Sequence, residues 1–310
     1  MKNIRTLIKI VSLLVVLTGV QIALGADNGK YAVLNCWEKG TYTLLQECTN
    51  TLIVTVGKTE AERDESRLLF NWQIEASPEG GDGVQKFKMK LLRVMMRMRV
   101  NGREVIYFDS SNGRAKVESL NTVFRNMKET LVTVVFKDGN PTEILGCDDF
   151  WKGVSEPTEQ EEKVLLSNLR SLASADNIKQ SFETLVYLDS SEEVAVGDKW
   201  KNSTTIAIPS IGDKTLEWNC SLDSVDDSKE AALANVSGKG RLDFEITEPV
   251  KGKGRVEIEN TVTYNTRYYF PTMVDSKVYV VHKSEEDAGS GEEVRTSVGF
   301  SKNKITVVKH

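Results

Sequence analysis

The sequence predicts a mainly β protein with a helical insert, an α+β chain of two antiparallel curved-sheet or half-barrel domains with helices between and against them. Three observations carry that expectation: long runs of period-two alternation, a central stretch of helical spacing, and a similar succession of strands on either side of it.

The first element is a leader. Lys2, Arg5 and Lys9 form a cationic head, an apolar run covers residues 10–17 and continues more loosely to Ile22, and small residues stand at Ala23 and Gly25. That is the three-part pattern of a secretory signal peptide cleaved after Gly25. The unbroken apolar core is well short of the roughly 20 residues of a spanning helix. Cys36, the first cysteine, lies beyond the apolar run in Val33-Leu34-Asn35-Cys36, without the small residue a lipid-attachment site requires. The expectation is an exported protein, periplasmic or extracellular, with no stable membrane insertion after cleavage.

Strands are expected next at 31–36, 41–48, 51–56 and 68–76, which are rich in β-branched and aromatic residues and bounded by Gly, Asn and charged turns. The stretch 77–83, Ser-Pro-Glu-Gly-Gly-Asp-Gly, is the clearest turn. From 84 to 100, Phe87, Met89 and Leu91 alternate with Lys86, Lys88 and Lys90, and then the apolar set moves to Leu92, Val94, Met96, Met98 and Val100. A period of two that changes phase once is the mark of a β-bulge, because one extra residue exchanges the faces. A second long alternation runs through Val256, Ile258, Val262, Tyr264, Tyr268 and Phe270. Helical spacing appears in Leu120, Val123, Phe124 and Met127, in Val164, Leu165, Leu169 and Leu172, and in Ile178, Phe182 and Leu185. Each half then ends in an expected hairpin, 131–136 with 142–145 and 294–300 with 304–308, the latter turning at Ser301-Lys302-Asn303. The organisation read from this is a leader at 1–25, an N-terminal β-rich domain at 26–154, a helical connector at 155–190 and a C-terminal β-rich domain at 191–310.

Composition narrows the partners. The formal charge of −5 becomes −8 once Lys2, Arg5 and Lys9 leave with the leader. A field of that sign repels phosphate backbones and anionic lipid, so neither nucleic acid nor a charged membrane surface is an expected partner. The four cysteines, Cys36, Cys48, Cys147 and Cys220, include no C-x-x-C pair. A Cys36–Cys48 bridge closes the shortest loop, and four buried free thiols fit the count equally.

The segment Val194-Ala195-Val196-Gly197-Asp198-Lys199-Trp200, which opens the second half, resembles a signature of a family of uncharacterised exported bacterial proteins. Its members are similar to this chain in carrying a signal sequence, a β-rich first half with a stretch like Tyr107-Phe108-Asp109-Ser110, and a helical middle. The resemblance covers nearly the whole chain and implies no activity. Read from the residues alone, Val194, Val196 and Trp200 form one strand face entering a core, and Gly197-Asp198 make the turn that starts it.

The residue inventory offers little for catalysis. Only His282 and His310 are available as imidazole bases, and no G-x-S-x-G elbow accompanies them. Asp148-Asp149 before Phe150-Trp151 are expected to cap a short helix rather than to form a glycan site, and Asp223, Asp226 and Asp227 to form an acidic turn. Gly238-Lys239-Gly240 and Gly252-Lys253-Gly254 read as turns between strands. Met89, Met95, Met96 and Met98 on the long strand are the candidate lining of an adaptable apolar cavity, since methionine fills irregular shapes. The reading is therefore a non-enzymatic exported binding protein for an apolar or amphipathic ligand, with no cofactor and no metal. The alternative is a structural or interaction module of the cell envelope whose partner is an envelope protein, and a hydrolase using carboxylates alone comes third.

Overall fold

The computed structural model describes residues 23–27, 30–32, 38–78, 83–111, 118–137, 140–156, 163, 166–167, 169–170, 173–176, 178–179, 190, 193–208, 212–228, 233–246, 252–265, 270–286 and 293–310. Residues 1–22 of the expected leader (1–25), Cys36, residues 79–82 of the expected turn and most of the connector lie outside them, while Ala23–Gly25 fall in the first described strand.

A short hairpin, β1 (Ala23–Asp27) with β2 (Lys30–Ala32), stands apart from the main sheet. The chain then builds β3 (Gly40–Val56), β4 (Thr59–Ala76), β5 (Val84–Val100) and β6 (Arg103–Asp109), a helix α1 (Glu118–Glu129), and the hairpin β7 (Leu131–Lys137) and β8 (Asn140–Leu145). A one-turn 3₁₀ helix (Cys147–Trp151) follows. The second half supplies β9 (Lys199–Ile208), β10 (Gly212–Asp226), β11 (Leu233–Ile246), β12 (Gly252–Asn265), β13 (Phe270–Glu286) and β14 (Glu293–Lys309).

The two strand-rich halves share one sheet instead of forming the two sheets expected. Its order is β8-β7-β5-β4-β3-β14-β13-β12-β11-β10-β9, with β6 also paired to β5, and all neighbours are antiparallel. The halves join where β3 pairs with β14 from Tyr42↔Lys309 to Val56↔Arg295. The sheet stays open, with β8 and β9 at its two ends.

Alternation sets which face is inside. On β3 the buried set is Tyr42, Leu44, Gln46, Cys48, Leu52 and Val54, and on β4 it is Glu62, Asp64, Leu68, Phe70, Trp72, Ile74 and Ala76. The phase change on β5 is a bulge at Leu92: Asn71 pairs with Arg93 and Trp72 with Leu91, which leaves Leu92 unpaired and 41% exposed. Leu91 and Val94 therefore both face inward. The bulge lies where β5 changes partner, from β7 at Val84–Lys90 to β6 at Met95–Val100.

Helix α1 lies against the inner face through Leu120, Val123, Phe124 and Met127, as its spacing predicts. The Phe124 ring stacks on Phe108 at 4.3 Å, a contact worth about 0.5–1.5 kcal/mol beyond the area it buries. The Asn126 amide donates to the carbonyls of Phe150 and Lys152 at 3.0 and 2.8 Å, so the helix and the 3₁₀ turn form one unit. Asp148 and Asp149 lie in the first turn of that 3₁₀ helix, while its N-cap is Gly146. The described positions among 163–170 and 175–179 are helical, with a turn at Ala173-Ser174 between them, and Leu166, Leu169, Ala173 and Ile178 join the same core.

Several expected turns are strand interior. Ser301-Lys302-Asn303 runs straight through β14, and the alternation through Val256 ends at Asn265, with Phe270 opening β13. Both Gly-Lys-Gly triplets lie inside β11 and β12. Their glycines make room on the inner face: a Cβ on Gly254 would stand 2.2 Å from the Phe244 ring, and one on Gly240 would meet Leu216 at 3.1 Å.

The two segments that carry the family resemblance are structural joints. Asp109 accepts two bonds from the Arg93 guanidinium, at 3.1 and 2.5 Å, and two more from the Ser111 hydroxyl and amide, at 2.7 and 3.0 Å. Ser110 closes the joint by accepting from the Val94 amide at 3.0 Å. At the other motif Gly197 takes φ 94° and donates to the Leu222 carbonyl, and the Asp198 carboxylate accepts from the Ala195 amide at 2.8 Å. Val194 is buried as expected, but Val196 is exposed, because the turn faces it away from the sheet.

The Arg93 guanidinium, with help from Ser111, holds the Asp109 carboxyl well below the ordinary carboxylate range. A depressed carboxylate stabilises the fold above its unfolded pKa and loses that contribution as pH falls through the folded value. Replacement Asp109→Asn is expected to cost about 1–3 kcal/mol at neutral pH. Denaturant titrations at pH 7 and at pH 3 check this, and the difference from the parent should narrow at pH 3.

Candidate functional site

Strand register carries inner-face residues across the sheet in rows. One row reads Leu222, Val236, Val262, Val274, Ile305, Gln46, Phe70 and Val94. Gln46 is its single polar member, and it is 1% exposed. Its amide nitrogen has no hydrogen-bond partner. The next row reads Cys220, Gly238, Asn260, Ser276, Asn303, Cys48, Leu68, Met96 and Phe108, and the one beyond it places Ser301, Asn50 and Ser66 side by side.

A polar belt therefore crosses the middle of the inner face, beside the apolar row that Gln46 interrupts. Part of it is satisfied internally: the Ser276 hydroxyl donates to Asn260 at 2.5 Å and the Asn50 amide to Ser66 at 3.1 Å. Asn303, 0% exposed, leaves both its amide nitrogen and its amide oxygen unpartnered. Each buried polar group without a partner costs about 1–3 kcal/mol, so Gln46 and Asn303 together are an unusual expense in a core.

Gln46 opens into a cavity of about 40 Å³. The sheet supplies its floor, Gln46, Cys48, Leu68, Phe70 and Trp72. Met127 of α1, Phe150 of the 3₁₀ helix, and Leu169, Ala173 and Ile178 supply its roof. Phe70 and Trp72, two positions apart on β4, stack at 6.3 Å and form an aromatic wall. By volume the space takes on the order of three water-sized atoms.

Of the methionines singled out from sequence, Met89 and Met96 are core residues of the inner face, and Met98 is half-buried on the same face. Met95 is half-buried and alternates onto the opposite face, because the bulge has already exchanged the phase. None of the four lines the cavity; its methionine is Met127. Cys48 carries a free thiol, with its Sγ 3.6 Å from Asn50 Oδ1 and 3.8 Å from Ser301 Oγ, and Cys36, the partner considered for it, lies outside the described residues. Burial pushes the Cys48 thiol above its ordinary pKa.

His282 and Ser297 are register partners on the inner face, and no hydrogen bond joins them, since both ring nitrogens of His282 lack partners. Burial holds that imidazole below its ordinary pKa. His310 accompanies Thr43 at the surface, 2.7 Å from its hydroxyl. Asp149 is exposed and paired with Lys152 at 2.6 Å. Among the described residues no cluster of three His, Cys, Asp or Glu side chains is arranged to hold a metal ion, and no helix is long and apolar enough to cross a membrane.

Gln46 was missed in the sequence, yet a signal was present: it is the polar residue among the inward-facing Tyr42, Leu44, Gln46 and Cys48 that open β3, ahead of Asn50 further along the same face. Replacing an unpartnered buried amide with an apolar side chain of similar size removes its desolvation cost. The ligand-free Gln46→Leu variant is expected to be about 1 kcal/mol more stable than the parent by denaturant titration.

Comparison with solved structures finds a lipovitellin structure concerned with lipid–protein interactions, at TM-score 0.47 and 7% identity, over 87% of this chain and 25% of that one. The chain thus spans about a quarter of the lipovitellin chain. An outer membrane channel from Pseudomonas putida F1 aligns at TM-score 0.25 and 9% identity, over 91% of this chain and 100% of the channel. No curated protein matches the sequence. A family model described as a family of unknown function (DUF6263) matches residues 82–269, more than half of the chain. This protein belongs to that family.

Proposed function

We propose that this is an exported, non-enzymatic binding protein that holds an apolar or amphipathic ligand between the inner face of its sheet and the helices packed on it. The carrying observation is the cavity under α1 and the 3₁₀ helix, with apolar and aromatic walls and an unpartnered Gln46 amide at its floor. A few fixed polar groups in an apolar pocket is the usual make-up of a small-molecule site. Export is supported by the cationic head and apolar run at the start of the sequence.

A second reading, an envelope interaction module, draws support from the open sheet. β9 is a terminal strand with a neighbour on one side alone, and its length of ten residues suits pairing with a strand of another protein.

Native mass spectrometry of protein purified gently from its exported compartment separates the two. The binding reading expects a mass excess in the hundreds of daltons that disappears after organic extraction. A bare mass in repeated preparations, with a co-purifying polypeptide, favours pairing at the sheet edge.

A further inference from the structure

Resting on the binding reading, we infer that the site selects a ligand whose polar end is uncharged: a long-chain alcohol or an acylglycerol, rather than a fatty-acid carboxylate. The chemistry of the inner face decides the sign. Gln46 offers a free amide donor inside the cavity, and Asn303 offers a free donor and a free acceptor in the row beside it, directly across the strand pair from Cys48. Side-chain amides satisfy hydroxyls, which donate and accept, and esters, which accept, without either carrying charge.

Among the described residues no buried cation stands as counter-ion to a carboxylate. Among the described residues the buried set includes no Lys and no Arg, and its imidazole and carboxylate members on this face are His282, Glu62 and Asp64. Glu62 and Asp64 have hydrogen-bonding or charge partners of their own, and both stand further along β4, opposite Val54 and Leu52 of β3. Six residues of β3 separate Leu52 from Gln46, about 20 Å along an extended strand. A carboxylate brought to Gln46 would lose its hydration with no cation to replace it, which is the costly form of burial. An uncharged head loses less and gains the Gln46 amide donor, with Asn303 in the adjoining row across from Cys48.

Size fixes the orientation. The cavity of about 40 Å³ accommodates a hydroxyl or ester group and the first atoms of a chain. The remainder of the chain must pass between Phe70, Trp72 and Phe150, by displacement of the Leu169, Ala173 and Ile178 side chains that now fill that space.

The test is displacement of a neutral fluorescent probe, N-phenyl-1-naphthylamine, from the full chain at pH 8 by 1-monolauroylglycerol or by dodecanoate, each below its micelle concentration. The expected result is displacement by the glyceride at a concentration at least tenfold lower. Gln46→Leu matches its apolar row and should fold; it should still bind the probe while the preference falls to threefold or less. Asn303→Ser, a smaller change, should reduce the preference in the same direction. Dodecanoate displacing equally well or better overturns the inference, and so does a preference untouched in both variants. Failure of the probe and both lipids to bind at all overturns the binding reading itself.

Discussion

The pairing of β3 with β14 is the constraint on which the rest of the structure depends. These strands are the first and the last of the main sheet, and about 250 residues of sequence separate the positions they bring together, as at Thr51↔Phe300. Without this ladder the chain is two smaller sheets, each with a long edge. With it, the inner faces of both halves become one surface, and the polar belt running from Asn260 on β12 to Ser66 on β4 becomes continuous. Ladders of such sequence separation form against a large loop-closure entropy, so this joint is expected to be among the later events of folding.

A polar belt in the centre of an apolar face is costly, and the sheet reduces the cost only in part. Ser276 and Asn260 satisfy one another, and so do Asn50 and Ser66. Gln46 and Asn303 do not, and Gln46 alone interrupts a row whose other members are all apolar. A stability-driven core would fill both positions with aliphatic side chains at no loss of packing. Under the binding function proposed above, a ligand seated beneath the helical layer would complete the hydrogen bond that the Gln46 amide lacks. The segments around Asp109 and around Asp198 serve a different purpose: they pin β6 and the start of β9 to the sheet.

Much of the architecture was legible because it is written in local alternation. The bulge at Leu92 follows from one change of phase, α1 from the spacing Leu120, Val123, Phe124 and Met127, and the β7–β8 hairpin from two short apolar runs around a turn. What was not legible is non-local. Ser301 and Asn303 have the composition of a turn, and only their partners on β13 and β3 make them inward-facing strand residues. Gly240 and Gly254 have the same turn-like composition, yet they are there because Leu216 and Phe244 occupy the space above them. The methionine strand does not reach this cavity, whose enclosing side chains come from five separate parts of the chain. Gln46, the residue on which the site turns, is a single exception in a strand pattern and gains meaning only when its row is assembled.

The most direct test of the account is the alkylation rate of each cysteine in the folded protein, mapped by peptide, with and without a saturating uncharged long-chain ligand. Cys48 lines the cavity, whereas Cys147 and Cys220 are buried elsewhere in the core and serve as internal references. The account predicts that ligand slows labelling of Cys48 severalfold more than labelling of Cys147 or Cys220. Equal slowing at all three, or none at Cys48, would contradict a ligand seated between this sheet and its helices.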